Sequence, residues 1–307
     1  MSKNRWFAAF IFLFLCLTWG SSFILMKKGL LAFSPLQIAG LRLVSAALTL
    51  LPFVLRKLKR LSQVEWRVIL VVGIVGNGLP AFLFPLAETH INSASAGILN
   101  GLSPLFALLL GQLVFQFRFS QAQNLGVMIG FIGAVILVVS GGGEVDFFTH
   151  IQYSMAVVLA TVGYGLSTIL IKKYLNNTPP ILSTGLAFCM MALPYGLYLL
   201  FFDDLGEVFA SNPYAGQALI YVLLLGSGGT ALAVYLYYRL IQMTDPIVAS
   251  SVTYLIPLVA LAWGLLDGES FTWGQALGMG IVLVGVYLAN RRRKPKVAES
   301  PKLEVEG

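Results

Sequence analysis

The sequence predicts an all-α integral membrane protein: ten transmembrane helices arranged as two inverted five-helix repeats. Three observations lead there. The 307 residues are 58% hydrophobic and 11% charged, whereas a soluble domain carries about a quarter charged residues. Apolar runs alternate with short polar breaks at a spacing of one bilayer crossing, about 20 residues. The second half of the chain also repeats landmarks of the first. Ten crossings use about 200 residues and leave roughly 100 for loops and tails, so no sizeable extramembrane domain fits.

Reading apolar runs between polar breaks places the helices at 5–28, 35–55, 66–88, 93–116, 120–140, 150–172, 180–202, 214–240, 245–266 and 273–290. The first has the basic-then-apolar order of a signal peptide, but its apolar stretch from Trp6 to Met26 is too long for one, so an uncleaved helix is expected. Pro35 and Pro180 open the second and seventh segments, where a first-turn proline is tolerated. Residues 5–140 form the first repeat, 150–290 the second, and 291–307 a polar cytoplasmic tail expected to be disordered, with a basic start suited to anionic headgroups.

Charge orients the chain. With the N-terminus cytoplasmic, the inner ends collect all of the 20 basic residues except Lys27, Lys28 and Arg42. The outer ends hold Glu88, Glu144, Asp146, Asp203, Asp204, Glu207, Asp267 and Glu269. This asymmetry puts both termini inside, in a bacterial plasma membrane by expectation. A net charge of +7 is then explained by topology and not by nucleic acid. Cys16 and Cys189 both lie in apolar runs, which suits packing and neither a disulfide framework nor a metal site. No cofactor, metal or catalytic motif is read; Gly226 to Thr230 lacks the lysine of a phosphate loop, and no HExxH occurs.

The repeat is read by offset. At 145, Trp19, Gly20, Ser22, Lys27, Lys28, Pro35 and Gly40 fall on Tyr164, Gly165, Ser167, Lys172, Lys173, Pro180 and Gly185. At 153, Gly76, Ala96, Pro104 and Gly111 fall on Gly229, Ala249, Pro257 and Gly264. At 152, Gln123, Gly126 and Gly133 fall on Gln275, Gly278 and Gly285. An odd number of crossings per unit forces opposite insertion of the two units. Lys27 and Lys28 are thereby carried to the outer side by their equivalence to Lys172 and Lys173, and snorkelling to headgroups is expected of them. Inverted repeats suit alternating access, although channels and membrane enzymes also carry repeats.

Candidate binding residues follow from polar and glycine-rich positions at membrane depth. Helix 3 holds Gly76, Asn77, Gly78 and Pro80; helix 8 holds Gly226 to Thr230. Matching interruptions of this kind point to a carrier's site, with close helix packing the alternative. Asn100, Ser103 and Pro104 in helix 4, and Thr253, Tyr254 and Pro257 in helix 9, repeat the idea. Trp19 and Tyr164 are suited either to stacking on a substrate or to packing. Arg42, whose repeat equivalent is Ala187, either grips an anionic group by its fork or snorkels to an acidic loop residue. The substrate-contacting set is therefore Trp19, Ser22, Arg42, Asn77, Asn100, Tyr164, Ser167, Thr230, Thr253 and Tyr254. Glu88 and His90 are the titratable pair positioned for proton coupling, or else two solvated loop residues; His150 is expected to be exposed. Gly97 with Gly101, Gly126 with Gly130, and Gly274 with Gly278 have the spacing of close helix approach.

The run Thr18, Trp19, Gly20, Ser21, Ser22, Phe23, then Lys27, Pro35 and Arg42, resembles the opening of the EamA family in the drug/metabolite transporter superfamily. Pro257, Trp263, Gly264, Gly268, Glu269, Gln275, Gly278, Gly285, Val286 and Tyr287 resemble the close of that family's second repeat. The resemblance spans about residues 6 to 290. It implies a central cavity and export of amino acids or related small metabolites. One departure stands out: Gln116 and Phe117 occupy the place of the family's Gly-Glu pair in the first repeat, which survives at Gly268 and Glu269. The expected function is a secondary active exporter working by alternating access, with a small-molecule substrate, the lipid bilayer and protons as candidate partners. An intramembrane enzyme acting on a lipid-linked substrate is the alternative, and it lacks a convergent nucleophile and base. A channel or a non-transporting receptor is a third reading.

Overall fold

Helix initiation is written in the same residues in both halves. In the computed structural model, Ser34 and Gln37 form a reciprocal capping box at the start of the second helix, with Pro35 in its first turn. Ser120 with Gln123 and Thr272 with Gln275 form the same box at the starts of the fifth and tenth helices, at equivalent positions of the two halves. The structure describes residues 2–57, 65–114, 116, 120–140, 147–175, 178–243 and 252–290, leaving aside the side chains of 2–5, 147, 172, 238–239, 241–243, 253–254 and 289–290.

The helices are α1 (Ser2–Gly29), α2 (Pro35–Leu55), α3 (Trp66–Glu88), α4 (Ser93–Leu113), α5 (Gln121–Ser140), α6 (Phe147–Tyr174) and α7 (Pro180–Phe201). A seven-residue helix at Leu205–Ser211, absent from the sequence reading, precedes α8. Helix α8 runs from Ala215 through Tyr237 and on to Met243, followed by α9 (Val252–Leu266) and α10 (Trp273–Asn290). Among the described residues, eight helices, α1 to α8, are long and apolar enough to cross a membrane, and α9 and α10 are shorter apolar helices. No strand occurs among the described residues.

The interruptions expected in α3 and α8 are not unwound. They are π-helical segments, Ile74–Gly78 and Leu224–Leu232. A π segment adds a residue to the turn and leaves carbonyls to be satisfied elsewhere. Asn77 Nδ2 donates to Val72 O at 3.3 Å, and Thr230 Oγ1 donates to Leu225 O at 3.0 Å. Both pairs span five residues, and the offset of 153 carries one onto the other. Helix α4 breaks instead at a turn over Gly101 and Leu102, between Ser93–Asn100 and Ser103–Leu113.

Packing follows the same exchange of halves. Helix α2 lies along α7 and α5 along α10; α1 packs on α9 as α4 packs on α6, and α1 packs on α8 as α6 packs on α3. Glycines permit these approaches in matched pairs. Gly40 meets Leu199 while Gly185 meets Val54. Gly20 meets Val259 while Gly165 meets Phe106. Gly133 lies against the backbone of Val282 while Gly285 lies against that of Gly130. The small-residue pairs thus bury within one chain, where missing side chains let helix backbones touch. Cys16 is buried and Cys189 half-buried, both as free thiols. The tail at 291–307 lies outside the described residues.

Candidate functional site

A cavity of about 340 Å³ lies among α1, α2, α3, α4, α6 and α8, within the range of small-ligand sites. Trp19, Ser22, Arg42, Asn77, Asn100, Tyr164, Ser167 and Thr230 all line it. These eight come from both halves and from six helices. The side chains of Thr253 and Tyr254 lie outside those described. Sequence reasoning missed the apolar wall of Phe23, Met26, Phe84 and Phe188, together with Tyr237. In a chain this apolar, such residues carry no local signal; only tertiary structure separates a cavity wall from a core or a lipid-facing side.

The π segments shape the site. Trp19 Nε1 reaches the freed carbonyl of Gly229 at 3.0 Å, and Tyr195 OH reaches Gly78 O at 3.0 Å. Thr49 joins Ser227 at 3.1 Å. Gly76 lies against Ser167, and the equivalent Gly229 against Ser22. The Tyr164 ring stacks on Phe84 with centroids 5.9 Å apart, and Trp19 lies 5.2 Å from Tyr237. Aromatic groups therefore flank the cavity through either half.

Arg42 provides the charge. Its Nε donates to Thr230 Oγ1 at 3.0 Å, and one terminal nitrogen approaches Met26 Sδ at 3.8 Å. Among the described residues it forms no ion pair. The expected alternative, snorkelling to an acidic loop partner, is not what the structure contains: the π segment of α8 presents a hydroxyl inside the protein, which holds the guanidinium there.

Just past cavity-lining Met26, at the end of α1, lies a cluster that sequence reasoning did not assemble. Lys27 Nζ contacts Glu269 Oε1 at 2.7 Å and Asp267 Oδ2 at 3.1 Å, and Lys28 pairs with Asp267. Glu269 also accepts from the first backbone amides of α4, Ser93 N at 2.9 Å and Ala94 N at 3.2 Å, beside the Asn92 cap. One carboxylate thus ties α1, α4 and the α9–α10 connection together, placed where a helix N-terminus favours negative charge. The lysines expected to snorkel are ion-paired instead, because opposite charges lie within reach. Lys28, with Lys27 beside it, holds the Asp267 carboxyl below the usual carboxylate range.

The remaining titratable expectations separate. Glu88 ends α3 as a buried residue, not a solvated loop residue, and neither carboxylate oxygen has a hydrogen-bond partner among the described residues. His90 is exposed and stacks on Tyr153 with centroids 3.8 Å apart. His150, expected to be exposed, is buried at 3% because α6 begins at Phe147 and carries it into the fold.

A helical chain with eight described helices of membrane-crossing length and a polar and aromatic cavity is a multi-pass membrane protein. The model of the EamA-like transporter family matches residues 6–139 and again 152–291, and the chain belongs to that family. Among relatives, an Archaeoglobus fulgidus protein described as an uncharacterized transporter is 27% identical over 90% of this chain and 95% of its own length. A Salmonella typhimurium protein described as a probable amino-acid metabolite efflux pump is 26% identical over 91% and 93%. The Escherichia coli inner membrane transporter YedA is 26% identical over 89% and 87%. A crystal structure 18% identical in sequence has the same fold, with a TM-score of 0.63 over 92% of this chain and 96% of the other.

Proposed function

We propose that this transporter is a secondary carrier that exports amino acids or related small metabolites by alternating access between two oppositely inserted five-helix halves. Both termini face the cytoplasm, and the Lys27 end faces outward. The observation that carries the reading is Arg42: a guanidinium lining the cavity with hydroxyl and thioether partners and no ion pair among the described residues. A planar cation so placed suits a carboxylate, which it grips by two parallel bonds. Trp19, Tyr164 and Phe84 supply aromatic faces for an apolar side chain.

Matched contacts support the alternating mechanism. Gly76 on Ser167 and Gly229 on Ser22 are the same contact in exchanged halves. Exchanging the conformations of equivalent halves exchanges which side is open. The Lys27 end is closed by the Glu269 cluster, whereas exposed Thr168 lines the cavity further along α6, toward Lys173. That arrangement corresponds to a form facing the cytoplasm. The Salmonella typhimurium efflux pump supports the choice of amino-acid metabolites.

The test is counterflow of labelled amino acids in proteoliposomes. Saturable exchange is expected for at least one apolar or aromatic amino acid. Arg42→Ala should lower it about 10- to 100-fold, the worth of a charged hydrogen bond of about 1.5–3 kcal/mol. A folded Arg42→Ala protein that exchanges every amino acid as fast as wild type refutes the binding role. No exchange for any member of the panel refutes the carrier reading for this class.

A further inference from the structure

Among the described residues, Glu88 is the one buried charged side chain that the cavity description does not use. Only 7% of the residue is exposed, and neither oxygen has a hydrogen-bond partner among the described residues. From Leu79 onward α3 is regular, so Glu88, four residues beyond cavity-lining Phe84, lies on the same face about 6 Å further toward the Lys27 end. It sits between the cavity and the cluster that closes it.

Its charged surroundings come from three elements. Lys27 acts from α1, Arg42 from α2 and Glu269 from the α9–α10 connection. Lys28 and Asp267 complete the cluster behind Lys27. The titratable groups on adjoining α6 are His150, Tyr153 and Tyr164, with Lys172, Lys173 and Tyr174 at its far end, and His90 follows on α3's own exit. In the closed form Lys27 and Lys28 are balanced by Glu269 and Asp267. An ionised Glu88 would leave the lysine cluster itself one negative charge in excess, with Arg42 as the one further cation to offset it, and it would be buried without a hydrogen-bond donor, the costly condition for a carboxylate.

We infer that Glu88 is a proton-binding site that governs the outer end: it closes as the neutral acid, and its ionisation draws Lys27 from Glu269 and opens the cavity outward. When the proton leaves for water at the outer end, no covalent bond other than the carboxyl O–H changes. The ionised Glu88 competes with Glu269 for the Lys27 ammonium, and Glu269 then loosens from Ser93 and Ala94, freeing the start of α4. Loading a proton from outside reverses the sequence and shuts the outer end. This inference rests on the carrier reading for the direction in which the cavity opens.

The test reads opening directly and needs no substrate. Ser22→Cys is placed in the cavity of a protein carrying Cys16→Ala and Cys189→Ala, and a membrane-impermeant methanethiosulfonate is applied from the outside. Between about pH 5.5 and pH 8 the labelling rate should rise at least about fivefold more with Glu88 present than in the Glu88→Gln background, which has the same thiol chemistry. Glu88→Asp, which still titrates, should keep a pH response, so a misfolded Glu88→Gln protein does not rescue the idea. An equal rise in both backgrounds assigns the response to another group, and a rate that changes only with thiol ionisation removes the gate; either result overturns the inference. So does opening that follows sodium at fixed pH, which would make the site a metal-cation site. Amino-acid counterflow on wild type and on Glu88→Gln, both with Ser22 and the cysteines intact, separates the two readings. Absent counterflow with a Glu88-dependent pH response removes the carrier and leaves the gate, whereas intact counterflow without that response removes the gate alone.

Discussion

The two halves share their backbone devices and differ in their charges. Asn77 and Thr230 close equivalent π segments onto Val72 and Leu225, and capping boxes open α5 and α10 at equivalent residues. Even the left-handed residue after the fourth helix of each half is kept: Gln116 has φ 56° and its equivalent Gly268 has φ 80°. Charge follows this rule only at Lys27 and Lys28, which repeat as Lys172 and Lys173. Arg42 corresponds to Ala187, Glu269 to Phe117 and Asp267 to Phe115. Backbone geometry therefore repeats between the halves, as the proposed exchange of conformations would need, whereas charge beyond the lysine pair is one-sided.

The largest break in this comparison should come from Glu269. Its carboxylate group, 5% exposed, accepts from Lys27 and from two backbone amides of α4. Glu269→Ala leaves the buried Ser93 and Ala94 amides unpaired and Lys27 with Asp267 alone, so a loss of about 3 kcal/mol is expected, at about 1–3 kcal/mol for each buried donor left unsatisfied. Thermal unfolding in detergent measures it. Glu269→Gln, which keeps an acceptor, should recover part of the loss. Equal stability of wild type and Glu269→Ala would mean that the cluster closes nothing.

A second comparison sets equivalent glycines against each other. A Cβ on Gly76 would lie 2.6 Å from Ser167 Cβ, which has nowhere to move, whereas a Cβ on Gly229 would meet Ser22 Oγ at 3.1 Å, the end of a rotatable group. Gly76→Ala should therefore cost about 1–3 kcal/mol, in the range of overpacking, and Gly229→Ala clearly less. Unfolding midpoints of the two variants test the order. The reverse order would mean that the halves close to different depths at this level.

Much of this site was legible before any coordinates. Trp19, Ser22, Arg42, Asn77, Asn100, Tyr164, Ser167 and Thr230 stand out as polar, charged or large aromatic groups in apolar helices, and the lack of water at that depth draws such groups inward. What could not be read was pairing. Lys27 and Glu269 are 242 residues apart, and nothing local to either distinguishes an ion pair from two ends reaching for water. The π geometry was also hidden, because glycine and proline permit departure from the α-helix without specifying its form. His150 was misread for a related reason: the glycines at 141–143 mark a break but do not say where the next helix starts.

A smaller effect should come from the shared left-handed residue. Glycine adopts positive φ without the steric cost that falls on Gln116, about 1–2 kcal/mol, and part of that is offset by the greater freedom of glycine in the unfolded chain. Gln116→Gly should therefore stabilise by up to about 1 kcal/mol, and Gly268→Gln should destabilise by a similar amount. Opposite signs in unfolding measurements would support equivalent backbone roles. The same sign in both would break the equivalence at the end of the fourth helix of each half.

The smallest expected effect belongs to Asp267, and its sign distinguishes it from the Glu88 gate. Lys28 holds the Asp267 carboxyl below its ordinary value of 3.8, with Lys27 contributing. A carboxylate depressed in the folded state contributes stability that is fully present above its unfolded value, about 3.9, and is lost as pH falls through the folded value. The pair is partly exposed, 18% for Asp267 and 35% for Lys28, so screening keeps the contribution small. Asp267→Asn should lower the unfolding midpoint slightly at neutral pH, and the difference from wild type should shrink as the pH falls below the ordinary carboxylate value and vanish once it is below the depressed folded value. The Glu88 gate responds in the other direction, opening as pH rises. A stability difference at Asp267 that grew on acidification would reverse the assignment of charge at this end: the carboxyl would then be held as a neutral acid, and the lysines would be balanced by Glu269 alone.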